Sequence, residues 1–140
     1  MPYATQADMV AEFGEREVIA LTDRDNLGYV DEALLTDRLA KASAEIDTYL
    51  VGRYSVPLSV VSPLIVTYTC DIARYRLSGA GVTEVDTVRN RYKDALRFLE
   101  SVRDGKIDLG ANVPPATDAS TQNLVYYTDG ARIFSRSNRR

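Results

Sequence analysis

Between residues 84 and 103 apolar side chains recur every three or four positions, as Val85, Val88, Tyr92, Ala95, Leu96, Leu99 and Val102. That period fits one side of an α-helix and excludes a strand, whose faces alternate every second residue. Glu84, Asp86, Arg89, Arg91, Lys93, Asp94, Arg97, Glu100 and Arg103 take the other sides, and Thr83 stands in the capping position. The segment is therefore an amphipathic helix with one face to bury. In water such a helix is held mainly by what it packs against, so the rest of the chain must supply partners with apolar stripes of their own.

Two other segments qualify. From 32 to 50, behind Asp31 as cap, Leu35, Leu39, Ala42, Ile46, Tyr49 and Leu50 form a stripe, while Asp37, Lys41, Glu45 and Thr48 leave a polar side with Asp47 near its edge. Ser62 before Pro63 is the order of a cap and a first helical residue, opening a helix from 63 to 77. Leu64, Ile65, Tyr68, Ile72 and Tyr75 form its face, Val66, Thr69, Cys70 and Ala73 widen it, and only Asp71, Arg74 and Arg76 are large and polar. So broad a face predicts the central, most enclosed helix, stopped by SGAG at 78–81. A helical prelude comes first: Thr5 and Asp8 resemble a capping box, Ala7, Val10, Ala11 and Phe13 give a stripe up to Gly14, and 15–21 presents Val18, Ile19 and Leu21. The expected fold is all-α, a compact bundle of three long helices with short amino-terminal helices, occupying residues 1–110.

Residues 111–140 read differently. DGK at 104–106 marks a turn, and IDLG after it is expected to form a last extended or helical turn. ANVPPATDASTQN then has linker composition, with two prolines and no apolar periodicity. LVYYTDGARIF follows, two short apolar runs about a TDG turn, which predicts a small β-hairpin or a strand added to a partner. A lone hairpin is marginal in water. This extended carboxyl-terminal arm therefore draws its support from elsewhere, and Val125, Tyr126, Tyr127, Arg132, Ile133, Phe134 and Arg136 are its expected interface residues.

The side-chain inventory limits the chemistry. The chain has no histidine and one cysteine, Cys70. Imidazole bases, Ser-His-Asp arrangements, intrachain disulfides and thiolate clusters are thus excluded within it, and Cys70, set among Tyr68, Thr69 and Ile72, is expected to be a buried structural thiol. Residues 23–34 place Asp23, Asp25, Gly28 and Asp31 at calcium-loop positions but put Leu27 and Leu34 where oxygen ligands belong, so turn formation and helix capping are expected there and no metal. Glu45 with Asp47, or Asp71 with Glu84, are the carboxylate pairs to examine for acid and base work. Neither Walker-type nor GxGxxG phosphate loops occur, and no catalytic residue or cofactor is assigned.

The net charge is −3. Arg74, Arg76, Arg89, Arg91 and Arg97 could still gather into a nucleic-acid patch, while the arginines after residue 130 suit a carboxylate-lined surface on another subunit. No apolar run reaches membrane-spanning length, and the start MPYATQAD lacks the charge and apolar core of a signal peptide.

The order and spacing of FGEREVIALTDRD, ASAEIDTYLVGRYSVPL, CDIARYRLSG, RYKDALRFLESVRDGKIDLG and RIFSRSNRR carry a resemblance. Nearly the whole chain resembles a family of small virion proteins from Mu-like tailed bacteriophages and prophages. Asp47, Tyr49, Arg53, Tyr54 and Pro57 match its middle motif; Asp71, Arg74 and Tyr75 the next; Tyr92, Leu96, Phe98 and Leu99 the last helical one; Phe134, Ser135 and Arg136 the terminal one. The resemblance implies a non-enzymatic head-tail connector or adaptor subunit, forming a homo-oligomeric ring in the virion between the portal protein and a tail-side or stopper protein. It implies host cytoplasm during assembly, with neither membrane nor sequence-specific nucleic acid as partner. A tail-completion or other virion assembly role without a ring is the alternative, and a small DNA-binding protein a lesser one.

Overall fold

The computed structural model describes residues 1–79 and 86–110, which run through five helices: α1 (Gln6–Phe13), α2 (Glu15–Thr22), α3 (Glu32–Leu50), α4 (Pro63–Ser78) and α5 (Asp86–Arg103). The expected bounds of α3 hold, α4 runs one residue further than expected, and the expected start of α5 at 84 with its Thr83 cap lies outside the described residues. The arm at 111–140, with all seven interface residues assigned to it, lies outside them too.

Capping accounts for most of the starts. The Thr5 hydroxyl accepts from the Asp8 amide at 3.3 Å and the Asp8 carboxylate accepts from the Thr5 amide at 2.7 Å, a reciprocal box in which Asp does the work of the usual Glu. Asp31 accepts from the Leu34 amide at 3.0 Å to open α3, and Ser62 accepts from the Ile65 amide at 3.4 Å ahead of Pro63. Gly14 serves two helices. At φ 85° its amide donates to the Val10 carbonyl at 2.9 Å, closing α1, and its carbonyl accepts from the Val18 amide at 3.2 Å, opening α2.

Helices α3, α4 and α5 pack against one another in pairs, and α1 and α2 lie across α3 and α4. Both α3 and α4 meet all the other helices, so the central place that the broad apolar face of α4 predicts is shared with α3. Leu35, Leu39, Ala42, Ile46 and Leu50 bury the α3 stripe; Ile65, Cys70, Ile72, Ala73 and Leu77 that of α4; Val88, Ala95, Leu99 and Val102 that of α5. Burying each large aliphatic side chain is worth about 1.5–3 kcal/mol. The hydroxyls caught in this core are satisfied within their own helices: Ser43 donates to Leu39, Thr69 to Ile65 and Thr22 to Val18 carbonyls at 2.7–2.9 Å.

Five expectations change. In α1 the buried residue is Met9, with Val10 and Phe13 packed beside it, whereas Ala7 and Ala11 face outward. Leu64, in the first turn of α4, is 44% exposed and takes no part in the core. Leu96 is half-buried: the α5 seam runs through Val88, Tyr92, Ala95, Leu99 and Val102, and Leu96 flanks it. Asp71, read as an exposed group, is only 5% exposed because the fifth helix covers it and supplies Arg91. The IDLG stretch forms neither helix nor strand and is held by side chains of another segment.

Candidate functional site

The residues of the middle motif gather at the carboxyl-terminal end of α3, where they tie distant stretches of chain. The Tyr3 hydroxyl donates to Asp47 and accepts from the Leu58 amide at 2.9 Å, and the Tyr3 amide donates to the Ser43 hydroxyl at 2.8 Å. Arg53 donates through Nη1 to the Val102 carbonyl at 2.6 Å and to that of Ile107 at 3.4 Å. A cation at this helix end adds a donor to a carbonyl of the last turn and sits at the negative pole of α5. The Tyr54 hydroxyl donates to Asp108 at 3.0 Å and accepts from the Leu109 amide at 3.1 Å. Bonds to the Gly110 amide and to Tyr54 hold the Asp108 carboxyl below its usual range. Arg53 and Tyr54 together fix where the chain leaves the bundle at Gly110.

The following motifs work between helices. Arg74 pairs with Glu17 and lies 4.5 Å over the Phe13 ring, fastening α2 and α1 to α4. Tyr75 stacks on Tyr92 with centroids 4.1 Å apart, and Tyr68 meets Phe98 at 4.9 Å, both across the α4–α5 seam. Glu45 of α3 accepts from Arg76 at 2.9 Å and from the Tyr92 hydroxyl at 3.0 Å, joining the three long helices through one carboxylate. These tyrosines are half-buried, as expected for a phenol with an apolar body and a wet tip.

This arrangement engages the groups that were candidates for other chemistry. Arg74, Arg76, Arg91 and Arg97 each pair with a carboxylate, of Glu17, Glu45, Asp71 and Asp94 in turn, so these four do not present an open cationic patch. Glu45 and Asp47 are bonded to different partners, and Glu84 lies outside the described residues. Among the described residues no group of acidic, cysteine or histidine side chains has the arrangement of a metal site. The Asp23 carboxylate accepts from the Leu27 and Gly28 amides at 2.8 and 2.7 Å, with Asn26 at φ 55° and Gly28 at φ 84°, so the segment is a capped turn as expected.

Burial pushes the Cys70 thiol up to about 12, with the nearby Asp8, Glu12 and Asp71 charges adding to the effect; it also pushes the Tyr3 and Tyr92 hydroxyls to about 12, reinforced by their bonds to Asp47 and Glu45. The unfolded chain releases these protons from about pH 9 for the thiol and about pH 10 for the phenols. The folded chain retains them to about 12, so it binds more protons over that interval and stability must fall as pH rises through it. The thermal midpoint, followed by circular dichroism, is therefore expected to drop between pH 9 and 12, and less steeply in Tyr92→Phe. A flat midpoint across the interval would refute this.

At the opposite end of α3 a groove of about 850 Å³ opens between α2, the first turn of α3 and the loop joining them. Glu15, Asp23, Asp25, Asp31 and Glu32 line it with Arg24 as its one cation. Leu27 and Tyr29 stand beside it, 60% and 61% exposed. The sequence reading missed this surface, although its signal was two large apolar residues in the acidic turn DRDNLGYVDE. No helix among the described residues is long and apolar enough to cross a membrane.

The chain has relatives in sequence. Gene product J of Escherichia phage Mu is 36% identical over 137 residues, covering 97% of this chain and 96% of that protein. Mu-like prophage FluMu protein gp36 of Haemophilus influenzae is 38% identical over 102 residues, 73% of this chain and 71% of its own. The family model described as Bacteriophage Mu, Gp36 matches residues 3–126, a span that takes in Tyr3, the α3 clamp and every helix, and the chain therefore belongs to the bacteriophage Mu Gp36 family.

Proposed function

We propose that the protein is a structural, non-enzymatic virion subunit that acts as a head-tail connector or adaptor, assembling as a ring between the portal and the tail-side components. The observation that carries this reading is the clamp at Gly110. Arg53 and Tyr54 fix the exit of the chain, from which 111–140 continues with linker composition and then a short run of aromatic, aliphatic and arginine residues. A fixed exit followed by a segment with little core of its own suits a subunit that reaches a neighbour. Membership in a phage Mu family supports the phage setting, and the ion-paired surface of α4 and α5 favours assembly over nucleic-acid binding.

The test compares the intact chain, a 1–110 chain and an intact chain with Tyr126→Ala, Tyr127→Ala and Phe134→Ala, by light scattering and by reconstitution of particles with purified portal. Both altered chains are expected to keep the helical circular dichroism spectrum and to lose ring formation or portal attachment. Unchanged ring formation, portal binding and tail attachment in both would reject the reading. Loss of helical signal on deletion would show instead that 111–140 closes its own body.

A further inference from the structure

In the acidic groove beside Leu27 and Tyr29, Asp23 and Asp31 cap the local turn and α3, while Glu15, Asp25 and Glu32 enter none of the ties described above, and the chemistry of the groove specifies an occupant. Five carboxylates against Arg24 leave it a net charge of −4. Residues 131–140, ARIFSRSNRR, carry Arg132, Arg136, Arg139 and Arg140 with no acidic side chain, a side-chain charge of +4, and place Ile133 and Phe134 among them. A segment with two apolar side chains flanked by cations matches a hollow with two exposed apolar side chains flanked by anions, in sign, in number and in kind. Arginine suits such a surface because its planar fork can hold a carboxylate through two parallel bonds. Neither Leu27 nor Tyr29 belongs to the core, so their exposure serves nothing within the described body.

Groove and exit lie at opposite ends of the subunit. The groove is built on the first turn of α3, while Tyr54, which holds Asp108 and Leu109, follows its last turn. The 19 residues of α3 separate the two by about 28 Å. The chain thus leaves at one pole and the matching surface lies at the other, the layout of a head-to-tail contact in which each copy gives at one end and receives at the other. Residues 111–130 number 20, enough to span up to about 70 Å when extended.

We infer that residues 131–140 of one copy dock in the groove formed by residues 15–32 of the next, with Ile133 and Phe134 against Leu27 and Tyr29 and the arginines on Glu15, Asp25 and Glu32. This rests on the ring reading above and names the receiving surface within it. Contacts of this handedness repeat, and close into a ring when the rotation between copies allows.

Two full-length variants test it, Asp25→Cys in the groove and Ser135→Cys in the segment. Cys70 is buried with its thiol held protonated, so it stays out of the exchange. Asp25 is exposed and its replacement leaves the core untouched. Mixed at high concentration and oxidised, the two chains are expected to give a 25–135 mixed dimer about tenfold above either homodimer. Asp25→Lys with Glu32→Lys in a groove chain carrying its cysteine at Glu15 should reduce linkage to Ser135→Cys about tenfold, and Arg136→Glu with Arg139→Glu in the donor should restore it. No mixed dimer above the homodimers, or linkage only within one chain carrying both cysteines, would overturn the proposal, as would failure of the charge exchange to rescue. Portal attachment measured on the same variants separates the two readings: attachment that survives without the 25–135 link removes the groove as receiver and leaves the connector role standing.

Discussion

Replacing Leu99 by Ala is expected to destabilise the protein by about 2–5 kcal/mol, and replacing Leu96 by Ala to cost less than about 1.5 kcal/mol. Both residues belong to the same apolar stripe of α5, three positions apart. Leu99 is wholly buried where α5 meets α3 and α4, so its removal leaves a cavity as well as losing apolar transfer energy. Leu96 flanks that seam and keeps solvent contact, so water replaces much of what the truncation removes. Urea unfolding of both variants measures the difference directly. Equal losses would mean that α5 is rotated about its axis relative to the packing described.

Removing the Arg91 side chain, as Arg91→Ala, is expected to cost about 1–3 kcal/mol at neutral pH. The loss arises at its partner. Asp71 is 5% exposed, and Arg91 donates to it at 3.4 Å from a side chain that itself reaches solvent. Burial holds the Asp71 carboxyl above its usual range, with Arg91 opposing the rise. Taking away the arginine removes that opposition and raises the carboxyl further. An acid whose folded value is raised binds its proton more readily folded than unfolded, so stability is regained as pH falls from neutral toward the ordinary carboxylate range. The deficit of Arg91→Ala relative to the parent should accordingly shrink when unfolding is repeated near pH 4.5. A deficit that does not change with pH would assign the loss to other contacts of Arg91, whose guanidinium also lies 6.0 Å from the centroid of the Phe13 ring.

The long helices were legible because their signals are local and repeated. The α3 stripe recurs over five turns, and no other phase of the helix would bury as many apolar residues. The eight-residue α1 offers no such redundancy, and the stripe drawn through Ala7, Val10, Ala11 and Phe13 left out Met9, the residue that the packing buries. The stripe of α5 was correct but too wide to say which of Leu96 and Leu99 lay at its centre. Asp71 was misplaced for a different reason: its burial depends on a helix that begins fifteen residues later.

The surfaces were less legible than the core. Arg53 and Tyr54 act on residues about fifty positions away, and nothing near them in sequence marks a clamp; the resemblance flagged the positions without giving their task. The acidic groove is built from α2, the first turn of α3 and the loop between them, neighbours in sequence whose shared hollow appears only once both helices are placed. In sequence its loop reads as a calcium-like turn and helix cap, with Leu27 in the place of a missing ligand; beside the folded groove the same leucine is an exposed apolar side chain.

The ties of Tyr3 and Tyr54 have a mechanical consequence. Both are anchored at the carboxyl-terminal end of α3, so the first residues of the chain and Gly110 emerge at the same pole. Tension applied between these two points does not draw the long helices past one another along their axes. It loads the Asp47, Leu58 and Asp108 bonds one after another, as in peeling, while the interior of the bundle stays outside the line of force. Under such a load the two tyrosines act as successive fasteners, and the first extension seen by single-molecule pulling should be the short release of residues 1–5 or 104–110, ahead of the collapse of the helices.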